Sequence, residues 1–150
     1  MSRTYSELTR LIERLHRRFL DVIRAELNRL GVRDLNGVQA LLLANIGDEA
    51  MAIRDLVERG YYQGSNVSYN IKKLTDMGYL TQERSQHDKR SVTVQLTEKA
   101  HDVVKQVKAL EDHNAKAFSE YIDEPKVEDV CQALQRLERT WADYIHYGGE

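Results

Sequence analysis

The segment 71–100 reads IKKLTDMGYLTQERSQHDKRSVTVQLTEKA, and its hydrophobic pattern changes twice. Helical spacing of apolar residues gives way to a regular alternation of apolar and polar residues, and helical spacing then returns. YLTQERS (79–85) and SVTVQLT (91–97) therefore predict two short strands, which are joined by the polar tip QHDKR (86–90). The segment predicts a β-hairpin with a charged tip between two helices.

The helix before this hairpin is predicted from about residue 64 to 77, where Gly78 ends it. Val67, Ile71 and Leu74 share one face, because each residue advances the helix by about 100°. The exposed side then offers a set of small polar groups, an aromatic hydroxyl and two cations: Ser65, Asn66, Ser68, Tyr69, Lys72 and Lys73.

Three further helices are predicted upstream. The first extends over about residues 6–30 with one apolar stripe, and at about 1.5 Å per residue it is more than 35 Å long. A compact monomer of this size does not need such a helix, so part of the stripe is expected to meet another subunit. The second helix begins at the capping box of Asn36 and Gln39 and ends at Gly47, and a short third helix covers 53–59.

Two helices are predicted after the hairpin, from Thr97 to about Tyr121 and from Pro125 onward. Their apolar residues alternate in steps of three and four, as in a heptad pattern. The two seams are Ala100, Val103, Val107, Leu110, Asn114, Ala117 and Tyr121, and Val127, Val130, Leu134, Leu137, Trp141 and Tyr144. They favour a helical dimerisation region, and packing within one chain is the alternative.

Length and composition exclude several classes of protein. The chain has 150 residues, 41% of them hydrophobic and 31% charged, which is typical of one globular domain. It has no apolar run long enough to span a membrane and no apolar core of a signal peptide near its start, so we expect a cytoplasmic protein. The net charge of −2 is unevenly distributed, because residues 111–150 carry 4 basic and 10 acidic side chains. A basic face for a polyanion is therefore compatible with the overall charge.

The order of elements predicts a winged helix-turn-helix. The fold class is mainly α with a small β-hairpin, in the order α-α-α-α-β-β-α-α, in one domain over 1–150. Residues 34–97 would form the DNA-binding lobe, and residues 1–33 and 98–150 the dimerisation helices. One helix of such a lobe fits the major groove of double-stranded DNA, and the hairpin reaches phosphates or the minor groove.

The tip of the hairpin strengthens the DNA interpretation. Arg84, His87, Lys89 and Arg90 surround a single acid, Asp88, and make a compact cationic prong. A narrow minor groove attracts an inserted arginine because its potential is strongly negative. For the helix face taken alone, an ordinary solvated surface is the alternative.

Residues 71–100 resemble the recognition-helix-to-wing segment of the multiple antibiotic resistance regulator (MarR) family. The resemblance rests on Leu74 with Gly78-Tyr79-Leu80, on Asp88-Lys89-Arg90, and on Leu96-Thr97-Glu98-Lys99-Ala100. Similarity of pattern extends over nearly the whole chain. It implies a bacterial homodimer that binds pseudo-palindromic DNA and, as in many members, releases it on binding a small, often aromatic, compound. It also implies a minor-groove contact for Arg90, an orienting role for Asp88, and major-groove contacts for Ser65, Asn66, Ser68 and Tyr69.

The sequence departs from the family pattern just before the recognition helix, which leaves the exact start of that helix open. The short polar cap that is usual before the recognition helix is replaced by Tyr61-Tyr62-Gln63-Gly64. The segment RGYYQGSNVSYN (59–70) resembles regulators of L,D-transpeptidase genes.

For the effector, we expect a pocket near the first helix, where a cation beside an apolar wall suits an aromatic carboxylate or phenol. Its predicted residues are His16, Arg17 and Phe19. Core packing and solvated charge are the alternative there.

The sequence does not indicate an enzyme. It contains no glycine-rich phosphate loop, HExxH, GxSxG or CxxC motif, and its five histidines have no metal-ligand spacing. We therefore expect no cofactor and no metal site. Cys131, the single cysteine, is expected to be a small buried hydrophobic residue rather than a redox sensor. The main functional alternative is a winged-helix module that binds a protein partner and no DNA.

Overall fold

The computed structural model describes residues 1–58, 64–87 and 91–148. Its elements are α1 (Ser2–Arg29), α2 (Gly37–Ile46), β1 (Met51–Ala52), α3 (Ile53–Glu58), α4 (Gly64–Asp76), β2 (Leu80–Arg84), β3 (Val92–Leu96), α5 (Glu98–Phe118) and α6 (Glu124–Tyr147). The predicted fold class is confirmed: a mainly helical chain with a small antiparallel sheet in winged helix-turn-helix order.

Helix α1 has one buried side and one exposed apolar side. Ile23 and Leu27 belong to the core. Its exposed apolar residues include Leu8, Leu11, Leu15, Phe19 and Val22, which we call the α1 apolar row. The helix begins at Ser2, four residues before the predicted start at Ser6. Ser6 is inside the helix, where its carbonyl oxygen accepts a hydrogen bond from the hydroxyl of Thr9.

Helix α2 begins at the predicted capping box. The backbone N–H of Gln39 donates to Oδ1 of Asn36 at 2.8 Å, and the backbone N–H of Asn36 donates to Oε1 of Gln39 at 3.1 Å. The helix is buried on several sides, through Ala40, Leu42, Leu43 and Ile46 among others. Gly47 ends it with a φ of +75°, which strains any residue with a Cβ. Four side chains of this helix belong to the hydrophobic core.

The sheet has three strands in the order β1-β3-β2, all antiparallel. The two predicted strands pair as a hairpin, with Leu80 opposite Leu96 and Arg84 opposite Val92. The prediction of only two strands was incomplete, because Met51–Ala52 pairs with β3 as well. Two residues are too few to show an alternating pattern, and their partners lie more than forty residues away in the sequence.

The last two helices begin at side-chain caps. The hydroxyl of Thr97 accepts from the backbone N–H of Ala100 at the start of α5, and the carboxylate of Asp123 accepts from that of Lys126 at the start of α6. Pro125 is the second helical residue, one position later than predicted, and α5 ends at Phe118 rather than near Tyr121.

The chain divides into two compact units, Met1–Leu110 and Glu111–Glu150. The first contains the hydrophobic core, whose buried apolar side chains extend from Ile23 to Val107 along the sequence. In the second, no side chain of residues 111–148 is buried. Its large exposed apolar residues include Val130, Leu134, Trp141, Tyr144 and Ile145, which we call the α6 apolar row. Among the described residues, no helix is long and apolar enough to cross a membrane.

Candidate nucleic-acid interface

Helix α4 has a buried apolar face and an exposed polar face, as predicted. Val67, Ile71 and Leu74 are at most 2% exposed and pack in the core. The exposed side chains on the rest of the helix surface are Asn66, Ser68, Tyr69, Lys72 and Lys73, together with Asp76 in the last turn. Ser65 belongs to the first turn of α4, and its side chain is outside the described part. The helix therefore presents to solvent a polar face that core packing does not use.

Two groups on this face lie together. The ammonium of Lys73 donates to the hydroxyl of Tyr69 at 3.3 Å and lies 5.6 Å from the centre of its ring. This position combines a cation–π contact with a hydrogen bond across one helical turn. Lys73 and Tyr69 therefore form a joint donor site, with positive charge beside a hydroxyl group.

A polar link joins the middle of α4 to the start of α2. Nε2 of Gln39 donates to Oδ1 of Asn70 at 3.2 Å, and Gln39 is only 4% exposed. Asn70 is half-buried, between the apolar face and the exposed face of α4. The capping box predicted that Gln39 begins α2, but it gave no indication that the same side chain reaches α4.

The C-terminal end of α4 is held by two residues at the start of α5. Gly78 has a φ of +85°, and its carbonyl oxygen accepts a 2.7 Å hydrogen bond from the hydroxyl of Thr97. Nζ of Lys99 donates to the carbonyl oxygen of Met77 at 3.0 Å and lies 4.2 Å from the ring centre of Tyr79. Such an ammonium is favourably placed at the negative end of the helix.

Tyr79 has an unusual environment at this junction. Its hydroxyl donates to Oδ1 of Asp34 at 2.7 Å, and Oδ2 of Asp34 lies 3.6 Å from Nζ of Lys99. Burial raises the pKa of the Tyr79 phenol, and the hydrogen bond to the Asp34 carboxylate and its negative charge raise it further. Tyr79 therefore remains a protonated hydrogen-bond donor at neutral pH.

A side-chain hydrogen bond links the hairpin to the last turn of α4. Nε2 of Gln82 on β2 donates to the hydroxyl of Thr75 at 2.8 Å, and this hydroxyl donates to the carbonyl oxygen of Ile71. Arg84 and His87, both predicted wing residues, are exposed on the hairpin. The other three, Asp88, Lys89 and Arg90, lie outside the described residues, as do residues 59–63 before α4.

The three residues predicted for an effector lie on α1, and all are exposed. A shallow depression on this helix is lined by Arg10, Glu13, Arg14, Arg17, Arg18 and Asp21. Arg17 borders this depression, whereas His16 and Phe19 do not. At about 100° per residue, Arg17 and Phe19 project from nearly opposite sides of the helix. The effector site stays a prediction.

Cys131 is exposed, so the expectation of a buried residue is wrong for the single chain. The reason is that no side chain of residues 111–148 is buried within the chain. In the part of the chain that the structure describes, no group of three or more His, Cys, Asp or Glu side chains could hold a metal ion.

Known proteins with similar sequences agree with a winged helix-turn-helix in this chain. The family model of the winged helix DNA-binding domain matches residues 35–100, which include the capping box, α4 and the hairpin. The chain is 39% identical over 146 residues to the exopolysaccharide II synthesis transcriptional activator ExpG of Rhizobium meliloti, covering 97% of this chain and 75% of that protein.

Solved structures show the same fold. A MarR transcriptional regulator from Methanosarcina mazei superimposes with a TM-score of 0.74 at 19% identity, covering 92% of this chain and 98% of that one. FabT of Streptococcus pneumoniae, in complex with DNA, gives a TM-score of 0.72 at 18% identity, covering 93% and 98%. The chain belongs to the MarR family of winged helix-turn-helix transcription regulators.

Membership in the MarR family gives α4 the place of the recognition helix and the β2–β3 hairpin the place of the wing. The resemblance to regulators of L,D-transpeptidase genes stays a prediction. Sequence reasoning identified the exposed face of α4 from its periodicity. It missed the supporting residues Gln39, Asn70, Asp34 and Lys99, whose contacts span long sequence separations.

Proposed function

We propose that this MarR-family protein binds double-stranded DNA sequence-specifically, as a homodimer, through α4 and the wing. The observation that carries the proposal is the exposed polar face of α4, opposite a fully buried apolar face. Small polar side chains permit close approach to base edges in the major groove. The MarR-family fold and the DNA complex of the similar protein FabT support the proposal.

The residues of this surface divide by chemistry. Ser65, Asn66, Ser68 and Tyr69 are proposed to meet base edges. Lys72 and Lys73 are flexible point charges, which suit phosphates better than bidentate base contacts. The proposed wing residues are Arg84, His87, Asp88, Lys89 and Arg90, with Arg90 in the minor groove and Asp88 orienting it.

The homodimer is proposed from the two apolar rows. The α1 apolar row and the α6 apolar row expose aliphatic and aromatic side chains along helices, a pattern typical of an interface with another chain. In this arrangement residues 1–33 and 98–150 supply the dimerisation helices, and residues 34–97 the DNA-binding lobe. A symmetric dimer favours a pseudo-palindromic operator with half-sites about one helical turn apart.

An effector is proposed to modulate this binding. A small aromatic compound is the proposed effector, for which His16 and Arg17 offer donors and Phe19 an apolar surface. Because Arg17 and Phe19 project from nearly opposite sides of α1, a single molecule on this helix would contact one of these two residues and not both. Because the proposed ligand is duplex DNA, we expect the protein to act in the cytoplasm, at the nucleoid. The similarity to transcriptional regulators supports a role without enzymatic activity.

Selection from a pool of random-sequence duplexes by the purified full-length protein tests the proposal. We expect enrichment of a pseudo-palindromic sequence, and binding to it that weakens steeply as salt increases. The second candidate function is a protein-interaction module, which the exposed Tyr69 would also suit. Absence of salt-dependent duplex binding would favour that module over the DNA regulator.

A further inference from the structure

Gln39 stands apart from the other polar side chains of this protein. Among the residues whose burial is described, it is the one buried polar residue, apart from the phenol of Tyr79. Burial of an amide is costly unless both its oxygen and its nitrogen find partners. Its oxygen accepts from the backbone N–H of Asn36 and its nitrogen donates to Asn70, so both ends are bonded.

The direction of these hydrogen bonds follows from the backbone. The N–H of Asn36 can only donate, so the oxygen of the Gln39 amide must face it. The amide nitrogen must then face α4, where Oδ1 of Asn70 accepts. The backbone at the start of α2 thereby fixes the amide orientation at one defined point of the recognition helix.

The Gln39–Asn70 hydrogen bond restricts the orientation of α4 in a way that the apolar contacts of this helix do not. Burial of Val67, Ile71 and Leu74 holds the helix in the lobe, but the hydrophobic effect is not directional. A hydrogen bond depends on distance and angle, and loses strength when its partners slide or rotate. Base readout needs geometry held within about 0.5 Å and 10–20°. Asn70 lies on α4 among the proposed base contacts, two residues after Ser68.

We infer that Gln39, acting through Asn70, is a positioning residue for base readout: it fixes the rotation and axial position of α4. The inference rests on the proposed function, in which α4 reads the major groove. Loss of the Gln39–Asn70 bond should reduce the preference for the correct sequence more than the affinity for DNA in general, since phosphate contacts tolerate small displacements.

The experiment uses two duplexes: one that the full-length wild-type protein selects from a random pool, and one with the same bases scrambled. The measured quantity is the specificity ratio, the affinity for the selected duplex divided by that for the scrambled one. Asn70→Ala removes the acceptor and leaves the capping box intact. Gln39→Met removes the donor and keeps a side chain of similar length. We expect each to lower the ratio on the order of tenfold.

Two matched variants separate positioning from simple stabilisation. Asn70→Asp keeps an acceptor for Gln39, so it should retain the ratio even if its charge weakens binding to both duplexes. Asn36→Ala removes the side-chain cap of α2 but leaves the Gln39–Asn70 bond, so it should lower the free energy of unfolding and keep the ratio.

A double-mutant cycle tests whether the two residues act as one unit. Gln39→Met combined with Asn70→Ala should lower the ratio no further than either single change. If the double variant instead lowers the specificity ratio by the product of the two single effects, the inference is overturned, because Asn70 would then contact DNA on its own. An unchanged ratio in Gln39→Met, or an equal fall in Asn36→Ala, would also overturn it. If the wild type itself prefers no duplex, the proposed function fails, and this inference with it.

Discussion

The hydroxyl of Tyr79 donates a 2.7 Å hydrogen bond to the carboxylate of Asp34, a residue forty-five positions earlier in the sequence. Tyr79 follows the end of the recognition helix, and Asp34 lies in the loop before α2. Lys99, at the start of α5, contacts both of them. The three residues tie the end of the recognition helix to the loop before α2 and to the start of α5.

Tyr79→Phe is expected to destabilise the protein. The change removes the hydrogen bond and keeps the buried ring, so the loss in the free energy of unfolding should be about 1 kcal/mol. This value is moderate because the Asp34 side chain is 46% exposed, and water screens its charge. Urea unfolding at pH 7 measures it. Tyr69→Phe, which removes an exposed hydroxyl, is the control and should unfold like the wild type.

The same variant should change how stability depends on alkaline pH. Since the pKa of Tyr79 is raised in the folded state, the folded protein holds this proton more tightly than the unfolded chain does. The resulting stabilisation is complete below the unfolded phenol pKa of about 10 and is lost as the pH rises towards the folded value. Wild-type stability should therefore fall more between pH 9 and pH 11 than that of Tyr79→Phe. Equal falls would show that Tyr79 does not contribute.

Leu15→Glu is expected to weaken self-association. Leu15 is 59% exposed in the single chain, so a charge there should cost little in folding. In the proposed dimer it would bury a carboxylate in an apolar interface, and the dissociation constant should rise about tenfold or more. Sedimentation equilibrium measures this change. Arg24→Glu, also on α1 but outside the α1 apolar row, should leave the dimer intact. A wild-type protein that is monomeric at micromolar concentration would contradict the proposed homodimer.

Cys131→Ser is expected to leave DNA binding unchanged in the presence and absence of peroxide. The thiol is exposed, so this expectation does not depend on burial of the cysteine. It lies on α6, outside the lobe that the winged helix family model matches. Loss of an oxidant response in this variant would show that Cys131 is a sensor.

Lys72→Ala and Asn66→Ala should weaken DNA binding in different ways, because Lys72 is proposed to contact a phosphate and Asn66 a base edge. Removal of one phosphate contact should weaken binding to every duplex and lower the magnitude of the salt slope by about one. Removal of a base contact should cost about 1–3 kcal/mol on the selected duplex and little on a scrambled one. Lys105→Ala is the control, since Lys105 is exposed on α5 outside the proposed surface. Equal effects of Lys72→Ala and Asn66→Ala on both duplexes would contradict the division of roles.

Much of the lobe could be predicted from local patterns. The capping box of Asn36 and Gln39 and the apolar face of α4 depend on neighbours three or four residues apart, so the sequence displays them directly. The partners of Tyr79 and Gln39 could not be predicted in this way. A tyrosine or a glutamine that bonds thirty to forty-five residues away has no periodicity that marks it.

Strand β1 and the exposure of Cys131 show two further limits of prediction from the sequence. A two-residue strand is defined by its partner β3 and not by its own composition. The heptad seam of α6 predicts an apolar interface, but it does not tell whether the same chain or a second one covers it. Within the chain, Trp141 and Leu134 stay exposed, so the seam that suggested a buried Cys131 is left open.

Fluorescence anisotropy of a labelled duplex across a salt series tests the central claim, DNA reading by α4 and the wing, most directly. The probes are the duplex selected by the wild type, a scrambled duplex, and the selected duplex with its A·T-rich flanks replaced by G·C. Wild-type protein should bind the selected duplex best, with an affinity that falls steeply with salt. Arg90→Ala should lose more affinity for the duplex with A·T-rich flanks than for the duplex with G·C flanks, because a wing arginine gains from a narrow minor groove. Binding by Arg90→Ala as tight as that of the wild type, or no salt-dependent binding by the wild type, would contradict the account.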